Sequence, residues 1–237
     1  MGSGDIQTLR ALPRFFLPGP PAEVGQAIPL PPEEWKKVHG VLRMSTGDEL
    51  AVLMNDGRLC RCTLEGRSAR VVSVSTPATE SPIHLTLALV MPRPEKLEES
   101  VRMATEMGVA AFKIFPCARS IVRWDSAKRE SKMARLRVIA REACEVAYRT
   151  RLPTLDWEDG LASVLSAPGA IFVMSEGDSV EATLPHLLGP ATIVIGPEGG
   201  WAPQEVALIG SRAVTLGPRV FRVDTAVAAA CALALLR

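Results

Sequence analysis

IGPEGGWAPQEV, Ile195 to Val206, carries an apolar run into a polar one through two prolines and three glycines, with a carboxylate, Glu198, set among the glycines. The residues before it, Thr192 to Ile195, read as a strand, and a helix is expected to begin near Pro203. Strand, bare turn and helix is the order in which parallel α/β sheets bind ligands, at the carboxyl ends of their strands. Glycine permits the sharp turn and lets backbone amides approach a ligand closely. A second loop, LGPRVFRVDTA from Leu216 to Ala226, repeats that order after the next strand. A single G-P-x-G-G is more often an ordinary turn, but two matched loops can face one pocket.

Phosphate is the usual occupant of such turns, because backbone amides and a helix N-terminus favour an anion. Glu198 argues against it, since a carboxylate in the loop repels phosphate at short range, and neither G-x-x-x-x-G-K-[ST] nor G-x-G-x-x-G is present. The loop better suits a ligand that offers hydroxyls, an adenine edge or positive charge. S-adenosylmethionine offers all three, although the loop chemistry by itself does not single it out.

Outward from the loops, the second part of the chain alternates strands and helices, the grammar of a layered α/β domain with a largely parallel sheet. Strands are expected at Leu85 to Met91, Phe112 to Pro116, Ala170 to Met174, Thr192 to Ile195 and Ala213 to Leu216. Helices are expected at Glu95 to Met107, Ser126 to Tyr148, Pro203 to Ile209 and from Thr225 onward. In the first of these, Leu97, Val101, Ala104 and Met107 recur at helical spacing, and Gly108 stops the run. The last, TAVAAACALALLR, is apolar nearly all round, which predicts burial on every side, partly against a second copy of the chain. From Phe15 to Val74 the signals are instead for β structure, with a hairpin at LAVLMNDGRLCRCTL turning on Asp56-Gly57, so this part reads as a small barrel or sandwich. Ser75 to His84, rich in proline, serine and threonine, separates the two parts.

Composition bounds the function. With 47% hydrophobic and 22% charged residues the chain is an ordinary globular protein. Lys plus Arg number 27 against 26 Asp plus Glu, so any basic surface must come from uneven distribution. The five cysteines, Cys60, Cys62, Cys117, Cys144 and Cys231, form no C-x-x-C or paired framework, which fits a reducing, cytoplasmic setting. The longest apolar stretch, Ala226 to Leu236, is too short for a membrane span of about 20 residues, and no secretory leader pattern opens the sequence. His39, His84 and His186 are isolated from one another, so no metal site is expected.

The loop pair resembles the C-terminal signature of the ribosomal RNA small subunit methyltransferase E family, of the SPOUT superfamily. RFF at Arg14 to Phe16, HGVLRMSTGDEL at His39 to Leu50, LALVMPRPEKLEESVRMATEMGV at Leu87 to Val109 and REACEVAYRTRLP at Arg141 to Pro153 resemble further blocks of that family, in its order. The resemblance implies an N-terminal PUA-like β-barrel that binds RNA, residues 1–76, followed by an α/β SPOUT methyltransferase domain, residues 77–237, with a C-terminal trefoil knot. True knots are very rare, so composition cannot show one. It also implies a homodimer, acting in the cytoplasm, that transfers a methyl group from S-adenosylmethionine to N3 of a uridine in the decoding region of 16S ribosomal RNA, on the assembled small subunit. By this likeness Ile195, Gly196, Pro197, Glu198, Gly199 and Gly200, with Leu216, Gly217, Arg219, Val220 and Phe221, line the cofactor pocket, joined by Ser175 and Glu176 past an earlier strand. The chain departs from the pattern at Val146, Ala147 and Tyr148, where the family has Gln-Ser-Gly or Gln-Cys-Gly, and at Val223 and Asp224, where it has Thr-Glu.

Methylation of a uridine imide requires loss of the N3 proton and stabilisation of the charge left behind. Arg222 is the candidate to steady that charge or a phosphate, and Asp224 or Glu198 to accept or relay the proton. Asp224 can equally be the N-cap of the last helix. Lys128 to Arg151 carries eight cations against three carboxylates, either a phosphate-binding face or a solvated helix face. Arg149 and Arg151 there, with Arg14, His39 and Arg43 in the β part, are the candidate RNA contacts. Two further readings stay open: a ribosome-assembly factor that binds RNA with little catalysis, and the same chemistry on another RNA such as transfer RNA.

Overall fold

The computed structural model describes residues 11–91, 94–120, 124–176, 180 and 182–236. The chain divides into two compact units, Met1–Glu80 with Cys144–Leu152, and Ser81–Ala143 with Pro153–Arg237.

The first unit holds a five-stranded sheet in the order β1 (Arg14–Phe16), β3 (Glu49–Leu53), β4 (Leu59–Glu65), β5 (Ser68–Ser75), β2 (Ala27–Pro29). β1 runs parallel to β3, and the other pairs are antiparallel. Alternation along β3 feeds two cores at once. Leu50 and Val52 pack with Cys60, Cys62 and Leu64, while Ala51 and Leu53 pack with Phe16, Leu59, Cys144 and Tyr148. That second face explains why Cys144–Leu152 belongs to this unit. The β3–β4 turn does not place Asp56 at positive φ as the sequence suggests; Asn55 (φ 62°) and Gly57 (φ 94°) take that conformation, and the Asp56 carboxylate accepts the Arg58 N–H instead (2.9 Å). Pro32–Trp35 and Lys36–Val41, within the part expected to be β, form a short α-helix continued by a π-helical turn. Pro32 at the helix start needs no N–H partner, and Glu33 and Glu34 favour its positive end.

The second unit holds six strands in the order β11 (Ala213–Val214), β9 (Ala170–Met174), β10 (Ala191–Ile195), β6 (Leu85–Val90), β7 (Ala111–Phe115), β8 (Thr154–Trp157), all paired parallel. Alternation along β6 again divides the core. Leu85, Leu87 and Leu89 meet the helices Pro94–Glu106, Ser126–Ala147 and Val223–Leu235; Ala88 and Val90 meet Leu161–Leu165 and Pro203–Ile209. The result is a three-layer α/β arrangement. The last helix starts at Val223, two residues earlier than expected, and buries Val223, Ala226, Val227, Ala230, Cys231 and Ala234, leaving Ala228, Ala229, Ala232 and Leu233 partly exposed. All five cysteines are free, and burial pushes the thiols of Cys62, Cys144 and Cys231 up to about 12, so they stay protonated and inert.

Candidate cofactor site

Three loops leave the carboxyl ends of β9, β10 and β11 and enclose a cavity of ≈ 620 Å³. After β10 the chain turns at once: the Gly200 N–H donates to the Pro197 carbonyl (2.9 Å), which puts Glu198 and Gly199 at the centre of the turn. Trp201 then folds back beneath it. A Cβ on Gly196 would lie 2.8 Å from ring carbons of Trp201, so this position demands glycine because an aromatic face lies against its backbone. The indole Nε1–H donates to the Met174 carbonyl (2.9 Å), tying the β10 loop to the end of β9. The third loop is joined by Glu176, whose carboxylate accepts the Phe221 N–H (3.0 Å).

Of the residues expected to bind cofactor, Ser175, Glu176, Ile195 to Gly200, Val220 and Phe221 line this one cavity, and Arg222 lines it with them. Leu216, Gly217 and Arg219 do not. The Thr215 hydroxyl donates to the Gly217 carbonyl (2.9 Å) and accepts its N–H (3.2 Å), which folds the loop on itself, and Leu216 packs toward the core. Met174, Trp201, Val206, Val223 and Ala226 complete the wall and were not singled out in the sequence. A ring that also closes on a glycine gives no periodic signal, which is why Trp201 escapes notice.

Asp224 stands apart from the lining. It is the second residue of the last helix, not its N-cap, and its carboxylate lies 2.7 Å from the Lys96 ammonium. The hydrogen bond from Lys96 holds the Asp224 carboxyl below the usual carboxylate range and raises Lys96 in turn. An ionised carboxylate held by a cation is a poor proton acceptor. Glu198 is exposed within the cavity wall.

The candidate RNA contacts fall within the first unit and differ in availability. Arg149 is 3% exposed, and its Nε and Nη2 both donate to one Glu80 oxygen (3.1 and 2.8 Å), while the other Glu80 oxygen accepts the Thr150 and Arg151 N–H groups (2.7 and 3.1 Å). Burial and this pairing give Arg149 a structural part in the first unit. Arg151 is exposed and donates to the Asp56 carbonyl (2.9 Å). The Arg14 Nε donates to the Glu145 carbonyl (2.5 Å), and its guanidinium lies 5.5 Å from the Tyr148 ring centre. Arg14 shares a cavity of ≈ 450 Å³ with Val146, Ala147 and Tyr148, the residues at which the chain departs from the family pattern. His39 is exposed and stacked on Trp35 (5.3 Å), with Arg67 over the same ring (5.7 Å), and Arg43 is exposed at φ 53°. Among the described residues no cluster of His, Cys, Asp or Glu is placed to hold a metal, and no helix is long and apolar enough to cross a membrane.

Residues 79–235 match the model of the RNA methyltransferase domain family. The ribosomal RNA small subunit methyltransferase E of Mycobacterium bovis is 33% identical over 211 residues, covering 80% of this chain and 79% of its own. This chain belongs to the ribosomal RNA small subunit methyltransferase E family. The methyltransferase E of Bacillus subtilis is 32% identical over 218 residues, 82% of this chain and 84% of that one. Among solved structures, the methyltransferase E of Neisseria gonorrhoeae bound to S-adenosylmethionine superposes with a TM-score of 0.80 at 28% identity, over 93% of this chain and 95% of that one. A Legionella pneumophila protein in complex with the same cofactor gives 0.83 at 27% identity, over 94% and 96%. A methyltransferase E has thus been solved with S-adenosylmethionine, and the mixed sheet followed by a parallel one is the arrangement this chain shares with it.

Proposed function

We propose that this protein binds S-adenosylmethionine in the cavity at the ends of β9, β10 and β11 and methylates N3 of a uridine in the decoding region of 16S ribosomal RNA, on the assembled small subunit. The observation that carries the reading is the convergence of both glycine loops on one cavity, in a family with cofactor-bound relatives. Its ≈ 620 Å³ lies in the range of small-molecule sites. The wall is chemically apt, with apolar Ile195, Val206 and Phe221 beside two carboxylates, Glu176 and Glu198, that suit a cationic ligand.

S-adenosylmethionine supplies a methyl group already made electrophilic by its sulfonium. The chain's own task is alignment, charge stabilisation and removal of one proton. Arg222, exposed on the cavity wall, stabilises the charge that spreads onto the uridine carbonyl oxygens when N3 is deprotonated. Glu198 takes the proton. Asp224, engaged by Lys96, fixes the start of the last helix and so the position of Arg222 before it. The reading extends to a PUA-like β-barrel that binds RNA at residues 1–76, a trefoil knot within residues 77–237 and a cytoplasmic homodimer. The partly exposed small residues of Val223–Leu235, with exposed Val206, Leu208 and Val220, suit a subunit contact. Arg14, His39, Arg43 and Arg151 are the RNA contacts.

The test is mass mapping of N3-methyluridine in small-subunit RNA from cells with and without the gene, followed by methyl transfer in vitro to assembled subunits and to naked 16S RNA. Loss of that one modification, restored by the purified protein on assembled subunits, is expected. An unchanged modification map would end the assignment.

A further inference from the structure

A fourth loop, Pro116–Ser120 after β7, reaches the glycine turn although β6 lies between β7 and β10 in the sheet. Two side chains make the connection. The Arg119 Nη1 donates to the Gly199 carbonyl (2.5 Å), the acceptor at the centre of the Pro197–Gly200 turn. Glu205, only 6% exposed, accepts the Ala118 N–H on one carboxylate oxygen (2.8 Å) and the Ala202 N–H on the other (2.9 Å). The loop after β7 therefore holds the turn at Gly199 through Arg119, and is joined through Glu205 to Ala202, two residues beyond the turn.

A turn with glycines at three of its five positions from Gly196 to Gly200 gives up much conformational freedom when it is fixed. If that ordering happens only when ligand arrives, affinity falls; if the apoprotein already holds it, the binding is preorganised. A buried carboxylate bridging two backbone N–H groups and a charge-assisted bond to a carbonyl are both stronger than neutral hydrogen bonds. Arg119 acts on the backbone of Gly199 in the cavity wall, and Glu205 on that of Ala202, next to the lining residue Trp201; neither side chain lines the cavity itself.

We infer that Arg119 and Glu205 are positioning residues for the methyl donor, holding the Gly196–Gly200 turn in its binding conformation before the donor enters. This rests on the cofactor assignment made above. It concerns affinity for the donor and not the chemical step, and it treats the Arg119 cation as a loop clamp instead of a phosphate contact.

The experiment is calorimetric titration of S-adenosylmethionine into the full-length protein and Arg119→Ala, Arg119→Lys and Glu205→Gln variants, with kcat, KM for the donor and RNA affinity against salt measured in parallel. Arg119→Ala is expected to weaken donor binding about tenfold and to raise KM by a similar factor, with kcat at saturating donor and RNA affinity unchanged, because one charge-assisted bond is lost from the apoprotein's turn. Arg119→Lys should recover part of the loss. Glu205→Gln replaces one acceptor oxygen by a donor and should also weaken donor binding; since Glu205 is buried and its variant can fail to fold, the exposed Arg119 decides. Equal donor affinity in wild type and Arg119→Ala overturns the clamp and leaves the cofactor assignment standing. Weaker RNA binding with a shallower salt slope, donor affinity being unchanged, overturns it in favour of a phosphate contact. A wild type that binds no donor overturns both.

Discussion

In the first unit Arg58, Arg61, Arg70 and Arg149 each lie against a carboxylate of that unit, Asp56, Glu49, Glu65 and Glu80. At the cavity of the second unit Glu198 and Arg222 are exposed, and Glu176 is bonded to a backbone N–H. These four arginines hold strands and segments of the first unit together; Glu198 and Arg222 at the cavity are left able to meet a ligand. A charged residue in a family block is therefore informative only with its partner in view, and Arg149 and Arg222, both arginines in such blocks, fall on opposite sides of that line.

The sharpest way to break the contrast is Gly196→Ala. Its Cβ would displace the Trp201 ring and with it the bond to Met174, so the cavity wall loses its tie between β9 and β10. Overpacking of this kind costs about 1–3 kcal/mol, and S-adenosylmethionine affinity should fall by up to about 100-fold in calorimetric titration. Near-wild-type affinity would mean that the Trp201 packing does not shape the site.

Arg149→Ala probes the other side. It strands the Glu80 carboxylate, which remains partly buried, and should lower unfolding free energy by about 2–3 kcal/mol in urea titration. RNA affinity per folded molecule should not change. A stable variant with weakened RNA binding would return Arg149 to the phosphate contacts.

Asp224→Asn is expected to have the smallest effect. Because Lys96 holds the Asp224 carboxyl below its ordinary value of about 3.9, the stabilisation is present above that value and is lost as pH falls through the lowered folded one. Wild type should melt slightly higher than the variant at neutral pH, and the two should converge in acid. The shape of the pH–rate profile around neutrality should be the same for both. An acidic limb that disappears in the variant would make Asp224 the proton acceptor after all.

Much of the second unit was legible because its signals are local. The strand Ala170–Met174 and the helix Pro203–Ile209 fall where periodicity and turn residues place them, and both glycine loops announce themselves by composition. β8, Thr154–Trp157, is not expected from the sequence, because four residues in a polar setting give too short an alternation. The short helix and π-helical turn of Pro32–Val41 lie within the part where the sequence predicts β structure, although Pro-Glu-Glu at its start carries a helix signal. The long-range pairings that no local signal shows share one cause. Arg119 with Gly199, Glu205 with Ala118, Lys96 with Asp224 and Glu80 with Arg149 are pairings across 69 to 128 residues, set by strand order and invisible to any local window.

The sheet order also governs when the site can exist. The β3–β4–β5 meander joins neighbours in sequence, whereas β6 finds β10 through Leu85 and Ala191, more than a hundred residues apart, and β11 must pass over to the far side of β9. Distant parallel pairings form slowly because the intervening chain must first be drawn together. The cavity draws one wall from each of the loops after β9, β10 and β11, so in refolding the hairpins of the first unit should gain hydrogen-exchange protection early and the capacity to bind ligand should return last.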